Sequence, residues 1–151
     1  MTKIRLWAIC VAFIAELVAD LIISSITLAV LADGTLSADL DQEALRKATE
    51  AVIDSSGFLM SRVILGTATT IGGGYLAARL AKTYPYYNGL GIGLIGLIFG
   101  ILQWGDPLWL NFFAIVMTIP ASIYGAHLAK KHMMSPQSPA KNDDTGPRSP
   151  D

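Results

Sequence analysis

The chain is predicted to be an all-α integral membrane protein: a four-helix bundle with both termini in the cytoplasm and a short outer amphipathic helix. Three observations predict this class. The 151 residues are 52% hydrophobic and only 15% charged, whereas soluble domains carry about 25% charged residues. The apolar residues fall in four long blocks, each close to the ~20 residues that a helix needs to cross a bilayer. Basic residues collect beside alternate ends of these blocks.

The four apolar blocks define the spans of a predicted membrane domain, residues 1–134. The predicted spans are 6–32, 57–81, 86–104 and 107–129. The first block is roughly twice as long as the apolar region of a signal peptide and lacks a small-residue cleavage site, which favours an uncleaved span over a cleaved signal peptide. Asp106 and Pro107 suit the N-cap and first position of the last span, so a tight turn is expected before it.

The long connection between the first two spans contains a predicted amphipathic helix over residues 39–53. Asp39, three residues before Gln42, resembles the start of a capping box. Apolar residues then recur at helical spacing from Leu40 to Val52. The pattern favours a solvated cap over the bundle. A gate over a substrate path, or a helix that docks a partner, is the alternative.

The basic residues predict the orientation of the bundle. Arg46 and Lys47 lie on one side, and eight basic residues lie on the other. Those eight are Lys3, Arg5, Arg79, Lys82, Lys130, Lys131, Lys141 and Arg148. The positive-inside rule therefore places the N-terminus, the second turn and the C-terminus in the cytoplasm. Residues 135–151 are rich in Ser, Pro, Asp and Lys, which predicts a disordered cytoplasmic tail.

Each span carries one face of small and polar residues. Lipid tails are as apolar as leucine, so apolar helix faces gain nothing by meeting each other, while small residues let backbones approach closely. We therefore expect these faces to pack inward. The predicted helix-packing residues are Gly66, Gly73, Gly89, Gly93, Gly96 and Gly100.

Ionisable and amide side chains lie inside the spans. Counting ~1.5 Å per residue puts four of them about 21–25 Å above the cytoplasmic face: Asp20, Arg62, Gln103 and Asn111. Glu16 is one turn deeper. Because a charge at the centre of a span costs about 2.5–3.5 kcal/mol on insertion scales, we expect Asp20 to contact Arg62. This polar cluster either fixes the helix register or is a functional site in which Glu16 exchanges protons or cations.

The sequence carries no catalytic, cofactor or metal motif. The net charge of −1 gives no indication of a nucleic-acid partner, and Cys10 is the single cysteine. His127 and His132 lie near the end of the last span with no nucleophilic serine beside them, so they are interpreted as its basic cytoplasmic flank. We therefore predict neither an enzyme nor a cofactor. The expected partners are the lipid bilayer and a second copy of the chain or another membrane protein.

The segment 73–79, GGYLAAR, resembles a GGY-x-A-type helix end of uncharacterised small four-span bacterial membrane proteins. The resemblance implies a four-span fold in the bacterial cytoplasmic membrane and carries no activity. Two functions stay open. The short turns and missing catalytic groups favour a non-enzymatic structural, accessory or regulatory membrane component. The alternative is a small transporter or ion-coupled permease that uses the intramembrane carboxylates.

Overall fold

The computed structural model describes residues 4–32, 41–102 and 107–134, and these ranges contain five α-helices and no strand. The helices are α1 (Leu6–Leu31), α2 (Gln42–Ile53), α3 (Ser56–Ala81), α4 (Pro85–Leu102) and α5 (Leu108–Met134). The predicted all-α class is therefore confirmed. The predicted tail, 135–151, lies outside the described residues.

Three of the five helices are long and apolar enough to cross a membrane: α1, α4 and α5. Helix α3 has 26 residues, as many as α1. It is less apolar, because Arg62 and Arg79 lie within it together with several threonines and glycines. The structure therefore supports a membrane protein, while the fourth crossing by α3 stays a prediction.

The helix boundaries agree with the predicted spans to within one residue wherever the boundary is described, except at the end of α5. The prediction ended the last span at residue 129, before the charged residues, whereas α5 continues to Met134. Lys131 and His132 lie in its last turn. Positive charge is favourable there because it faces the negative end of the helix dipole, so the helix persists beyond the apolar segment.

Side-chain caps define where α2 and α3 begin. Asp41 is the N-cap of α2, and one of its carboxylate oxygens accepts a 2.7 Å hydrogen bond from the amide of Ala44. The predicted cap at Asp39 lies outside the described residues. Ser55 is the N-cap of α3, and its hydroxyl accepts from the amide of Phe58 at 3.3 Å. Only Asp54 and Ser55 separate the end of α2 from the start of α3, so the turn between the two helices is very short.

Helices α3 and α4 form the centre of the bundle. Helix α3 packs against α1, α4 and α5, and α4 also packs against α1 and α5. Among the described residues, α1 and α5 make no backbone contact with each other. They therefore lie on opposite sides of the central pair. Helix α2 touches only α1 and α3, and its Val52 is the one residue of α2 that is buried.

The four long helices pack closely at one end of the bundle, which we call the packed end. It contains the starts of α1 and α4 and the ends of α3 and α5. Two buried apolar clusters lie there: Ile9, Ala12, Ala77 and Ile92, and Ala78, Ala126 and Ala129. At the opposite, open end, the buried apolar residues are Ala32, Val52, Phe58 and Leu110. The small side chains at the packed end let the helix backbones approach, as expected for packing in lipid.

Glycines make the α3–α5 contact at the packed end possible. A Cβ atom at Gly74 would overlap the backbone carbonyl of Ser122. A Cβ atom at Gly125 would overlap the carbonyl oxygen of Ile71 and lie 2.7 Å from the amide nitrogen of Tyr75. Because the obstructing atoms belong to backbone, a larger residue at either glycine would push the two helices apart.

The predicted packing glycines of α4 differ along the helix. A Cβ at Gly89 would lie 2.6 Å from that of Ala126, and one at Gly93 would overlap the hydroxyl of Ser122. A Cβ at Gly96 would lie 3.1 Å from a methyl group of Thr118. Gly100 meets nothing within 4 Å, and the same holds for Gly66 of α3. The last two glycines are therefore not at close helix contacts, because the helices diverge towards the open end.

Asn88 links α1 to α4 at the packed end, and the sequence analysis did not single it out. Its side chain is fully buried. The amide oxygen accepts a 2.9 Å hydrogen bond from the backbone of Arg5, and the amide nitrogen donates to the carbonyl oxygens of Thr83 and Tyr84. The same turn holds Lys82, the C-cap of α3, in the left-handed region with φ of 57°.

The outward faces of the long helices are apolar. Exposed large side chains on α1 include Val11, Ile14, Val18, Ile22 and Ile26. Those on α4 and α5 include Leu94, Ile98, Phe112 and Val116. Water-soluble monomers rarely expose contiguous apolar patches larger than a few hundred Å². Lipid is therefore the solvent that this surface fits.

Candidate functional site

A cavity of about 480 Å³ lies between α1, α3 and α5 towards the open end. Its size falls within the roughly 300–1,000 Å³ of small-molecule sites. The gap forms where α1 and α5 make no backbone contact, and Phe99 is the one described residue of α4 in the lining. The polar lining residues are Asp20, Ser24, Thr27, Ser61, Arg62, Thr67, Thr70, Asn111 and Thr118.

Asp20 and Arg62 line this cavity together, but they do not form the predicted ion pair. Every distance between a carboxylate oxygen of Asp20 and a guanidinium nitrogen of Arg62 is longer than 4.0 Å, the limit for a salt bridge. The ion pairs among the described residues all lie on α2, where Glu43 and Glu50 pair with Arg46, and Glu43 with Lys47. Residue counting gives the height of a side chain in the membrane, but not its direction around the helix axis or the splay of the helices.

The two charged groups have different surroundings. One oxygen of the Asp20 carboxylate accepts a 2.6 Å hydrogen bond from the hydroxyl of Thr69, on the facing helix. Arg62 is exposed and makes no hydrogen bond or ion pair with any described residue. It still interacts electrostatically with Asp20 at longer range. Opposite charges therefore face one cavity without neutralising each other by contact.

Glu16 lies one turn from Asp20, between the cavity and the packed end. A Cβ atom at Gly73 would lie 2.5 Å from the carboxyl oxygen Oε2, so this glycine makes the space that the carboxyl group occupies. The hydroxyl of Thr70 is next to the same group. Oε2 is buried and has no hydrogen-bond partner among the described residues. Buried polar atoms are normally paired, so this oxygen is available to bind a proton or a cation.

The remaining members of the predicted polar cluster are Asn111 and Gln103. Asn111 lines the cavity from α5, and its amide nitrogen donates to the carbonyl oxygen of Pro107 at 3.4 Å. Gln103 lies outside the described residues. Asp20, Arg62 and Asn111 therefore share the cavity, and Glu16 lies beside it on the side of the packed end.

Three hydroxyl groups of α3 line the cavity without having been predicted from the sequence: Ser61, Thr67 and Thr70. The predicted inward face of α3 was marked by Gly66 and Gly73, and Gly66 does line the cavity, but these hydroxyl residues were not included. The signal that could have found these residues is the density of hydroxyl side chains between 61 and 70. The aromatic walls, Phe58, Phe99 and Phe113, have no counterpart in the sequence pattern.

A second set of polar contacts lies at the packed end. The hydroxyl of Tyr75 accepts a 2.6 Å hydrogen bond from Arg79 and lies 3.2 Å from Nδ1 of His132. The hydroxyl of Tyr86 lies 2.9 Å from Nδ1 of His127. Arg79, Tyr86 and both histidines are exposed, and Tyr75 is partly buried. The described residues contain no group of three or more metal-binding side chains. The arrangement is typical of an aromatic and basic membrane flank.

Comparison with known protein families, curated proteins and solved structures finds no match for this chain. Function is therefore inferred from the cavity. Its lining supplies one cationic group, one carboxylate, hydroxyl groups and apolar walls. These groups can bind a polar molecule or an ion. The described lining residues include serines but no histidine that would activate a serine as a nucleophile.

Proposed function

We propose that the protein crosses the bacterial cytoplasmic membrane four times, with the packed end towards the cytoplasm. Helix α3 is as long as α1 and packs against the other three long helices. Neighbouring helices cover part of its surface, so it needs less apolar character than a helix that meets lipid on most sides. Arg79, Lys82 and Lys130 lie at the packed end, which supports the orientation through the positive-inside rule.

Within that architecture we propose a non-enzymatic role in binding or moving a small polar solute or ion, as in a small transporter or ion-coupled permease. One observation carries this proposal: Asp20 and Arg62 face the same cavity but do not pair. A purely structural role would use these charges as a buried ion pair, because unpaired charges are costly inside a membrane protein. Charges held apart around a cavity are instead available to a bound molecule.

Glu16 is the group best placed to couple solute binding to an ion. It lies between the cavity and the packed end, with one buried oxygen that lacks a partner among the described residues. The packed end closes the bundle below it through small side chains. Opening a path to the other side would require the helices to slide or tilt there, and smooth interfaces of glycine and alanine permit such motion.

The test is flux through the purified protein in liposomes loaded with a pH-sensitive dye. We expect a proton or cation flux that Glu16→Gln abolishes while the variant still elutes as a folded species in detergent. Glu43→Gln is the matched control, because Glu43 is exposed on α2 and away from the cavity. No flux in the wild-type protein, or equal flux in Glu16→Gln, would contradict the proposed coupling.

The second candidate is an accessory subunit that acts through helix contacts. A line of exposed residues at helical spacing supports it on α3: Met60, Ile64, Ala68 and Gly72. A Cβ atom at Gly72 would meet nothing within 4 Å, so a partner helix could approach closely there. If this surface docks a partner, Gly72→Leu should release the partner in co-purification and leave flux through the cavity unchanged. Retention of every co-purifying protein by this variant would remove the candidate.

A further inference from the structure

We propose that the cavity binds a small zwitterion, a molecule that carries an ammonium group and a carboxylate or phosphate group on one short chain. The inference rests on the proposed function of the cavity as a solute site and adds the chemical class of the solute. It is drawn from the two charges that do not pair, from the asymmetry around them and from the apolar walls of the cavity.

The guanidinium of Arg62 is the anion-binding end of the site. A guanidinium presents five N–H donors in a planar fork that matches the two oxygens of a carboxylate or phosphate. None of these donors is used by a described residue. Because Arg62 is exposed towards the cavity, an anionic group can reach it without first breaking an internal ion pair.

The carboxylate of Asp20 is the ammonium-binding end. Thr69 fixes one of its oxygens by a 2.6 Å hydrogen bond. An ionised carboxylate has about four acceptor positions, so the other oxygen remains for a ligand donor. Glu16 lies one turn deeper and places a second carboxyl group on the same side. A cationic group is therefore favoured towards the packed end, and an anionic group towards Arg62.

The two charges favour a zwitterion over simpler ligands of the same size. A lone anion on Arg62 would leave the partly buried Asp20 carboxylate without a cationic partner, and a lone cation on Asp20 would leave the Arg62 guanidinium without an anionic one. Desolvated charges without partners are costly. A zwitterion satisfies both, and the cavity of about 480 Å³ that Asp20 and Arg62 both line has room for its chain. Phe58, Phe99 and Phe113 supply apolar walls for its methylene groups.

Two sources supply this chemistry: a free amino-acid-like solute, or the head group of an ethanolamine phospholipid. The lipid source is open because α1 and α5 do not touch along the cavity, so lipid can flank it. The way in which the protein is prepared distinguishes the two ligand sources. Protein in dodecyl maltoside, without added lipid, tests the free solute, and native mass spectrometry of protein taken directly from membranes tests the lipid.

The solute experiment is calorimetric titration of the full chain with 4-aminobutyrate, and with butylamine and butyrate as single-charge controls of matched length. We expect the zwitterion to bind at least about tenfold more tightly than either control, from one added charge-assisted hydrogen-bond contact. Arg62→Gln and Asp20→Asn should each remove that advantage. Arg79→Gln, an arginine of the same helix outside the cavity, should bind as the wild-type protein does.

The outcomes separate this inference from the proposed function. Arg62→Lys keeps the charge and should retain part of the affinity, which distinguishes a binding defect from misfolding. Retention of an ethanolamine phospholipid that both neutral variants lose supports the site with lipid as the source. The inference is overturned if the zwitterion binds no more tightly than butylamine or butyrate and, in addition, neither variant loses a retained ethanolamine phospholipid. If ion flux still depends on Glu16 in that case, the proposed function stands without the zwitterion; if flux is also absent, both fail.

Discussion

The contact of Gly74 with the backbone of Ser122 provides a sharp test of the packed end. Two glycines on α3, Gly72 and Gly74, are two positions apart and differ completely in surroundings. A Cβ atom at Gly74 would overlap the Ser122 carbonyl group, while one at Gly72 would meet nothing within 4 Å. The substitutions Gly74→Ala and Gly72→Ala therefore add the same methyl group to the same helix, once into a neighbour and once into open space.

The expected difference follows from two opposing terms. Both alanines gain about 0.8–1.0 kcal/mol of helix propensity over glycine. Overpacking costs about 1–3 kcal/mol, and the upper part of this range applies at Gly74 because a backbone carbonyl cannot rotate away. The propensity gain is common to both variants and cancels in the comparison. We therefore expect Gly74→Ala to be about 2–3 kcal/mol less stable than Gly72→Ala.

Reversible unfolding in mixed micelles, followed by circular dichroism, measures this difference directly. Gly72→Ala should be at least as stable as the wild-type protein, and Gly74→Ala less stable. Gly125→Ala should behave like Gly74→Ala, because its Cβ would overlap the carbonyl oxygen of Ile71. Equal stability of Gly72→Ala and Gly74→Ala would mean that α3 and α5 do not approach as described.

Three further substitutions test local features. Asn88→Ala should lower the free energy of unfolding by about 1–3 kcal/mol, because it removes the buried partner of three backbone groups; the same micelle unfolding measures it. Lys82→Gly should raise stability by about 0.5–1 kcal/mol, because φ of 57° suits glycine; a decrease would contradict the assigned turn. Asp41→Ala should weaken α2 by about 1 kcal/mol through loss of its N-cap. Faster amide hydrogen exchange confined to α2 is the expected result, and unchanged exchange would argue against the cap.

The lengths and order of the helices could be predicted because the bilayer requires long apolar segments. The positions of the apolar segments alone predicted the described boundaries of α1, α3 and α4 to within one residue. The end of α5 was missed because apolarity marks where lipid ends, while backbone hydrogen bonds continue past Ala129 to Met134. The four-span count depends on α3, whose inward threonines and glycines reduce the very signal that identifies a span.

The candidate site could be predicted only in part. Spacing along a helix gives a residue's companions on one face, so Asp20, Arg62 and Asn111 were expected together, and they line one cavity. Their mutual distances depend on helix rotation and splay, which arise from packing between helices. The Asp20–Arg62 contact was wrong for this reason. The same reasoning applies to Gly66 and Gly100. Both recur at helical spacing with the other predicted packing glycines, but they lie where the helices diverge.

Cysteine labelling of the cavity lining tests the central claim most directly. In a Cys10→Ser background, Ser24→Cys and Asn111→Cys place a thiol in the cavity, while Ile22→Cys and Val116→Cys place one on exposed apolar faces of the same two helices. A membrane-impermeant thiosulfonate added to the outer side of intact cells should label the first two positions and spare the last two. Labelling of the apolar positions at the same rate, or of the cavity positions only from the cytoplasmic side, would contradict an outward-facing polar cavity in a lipid-embedded bundle.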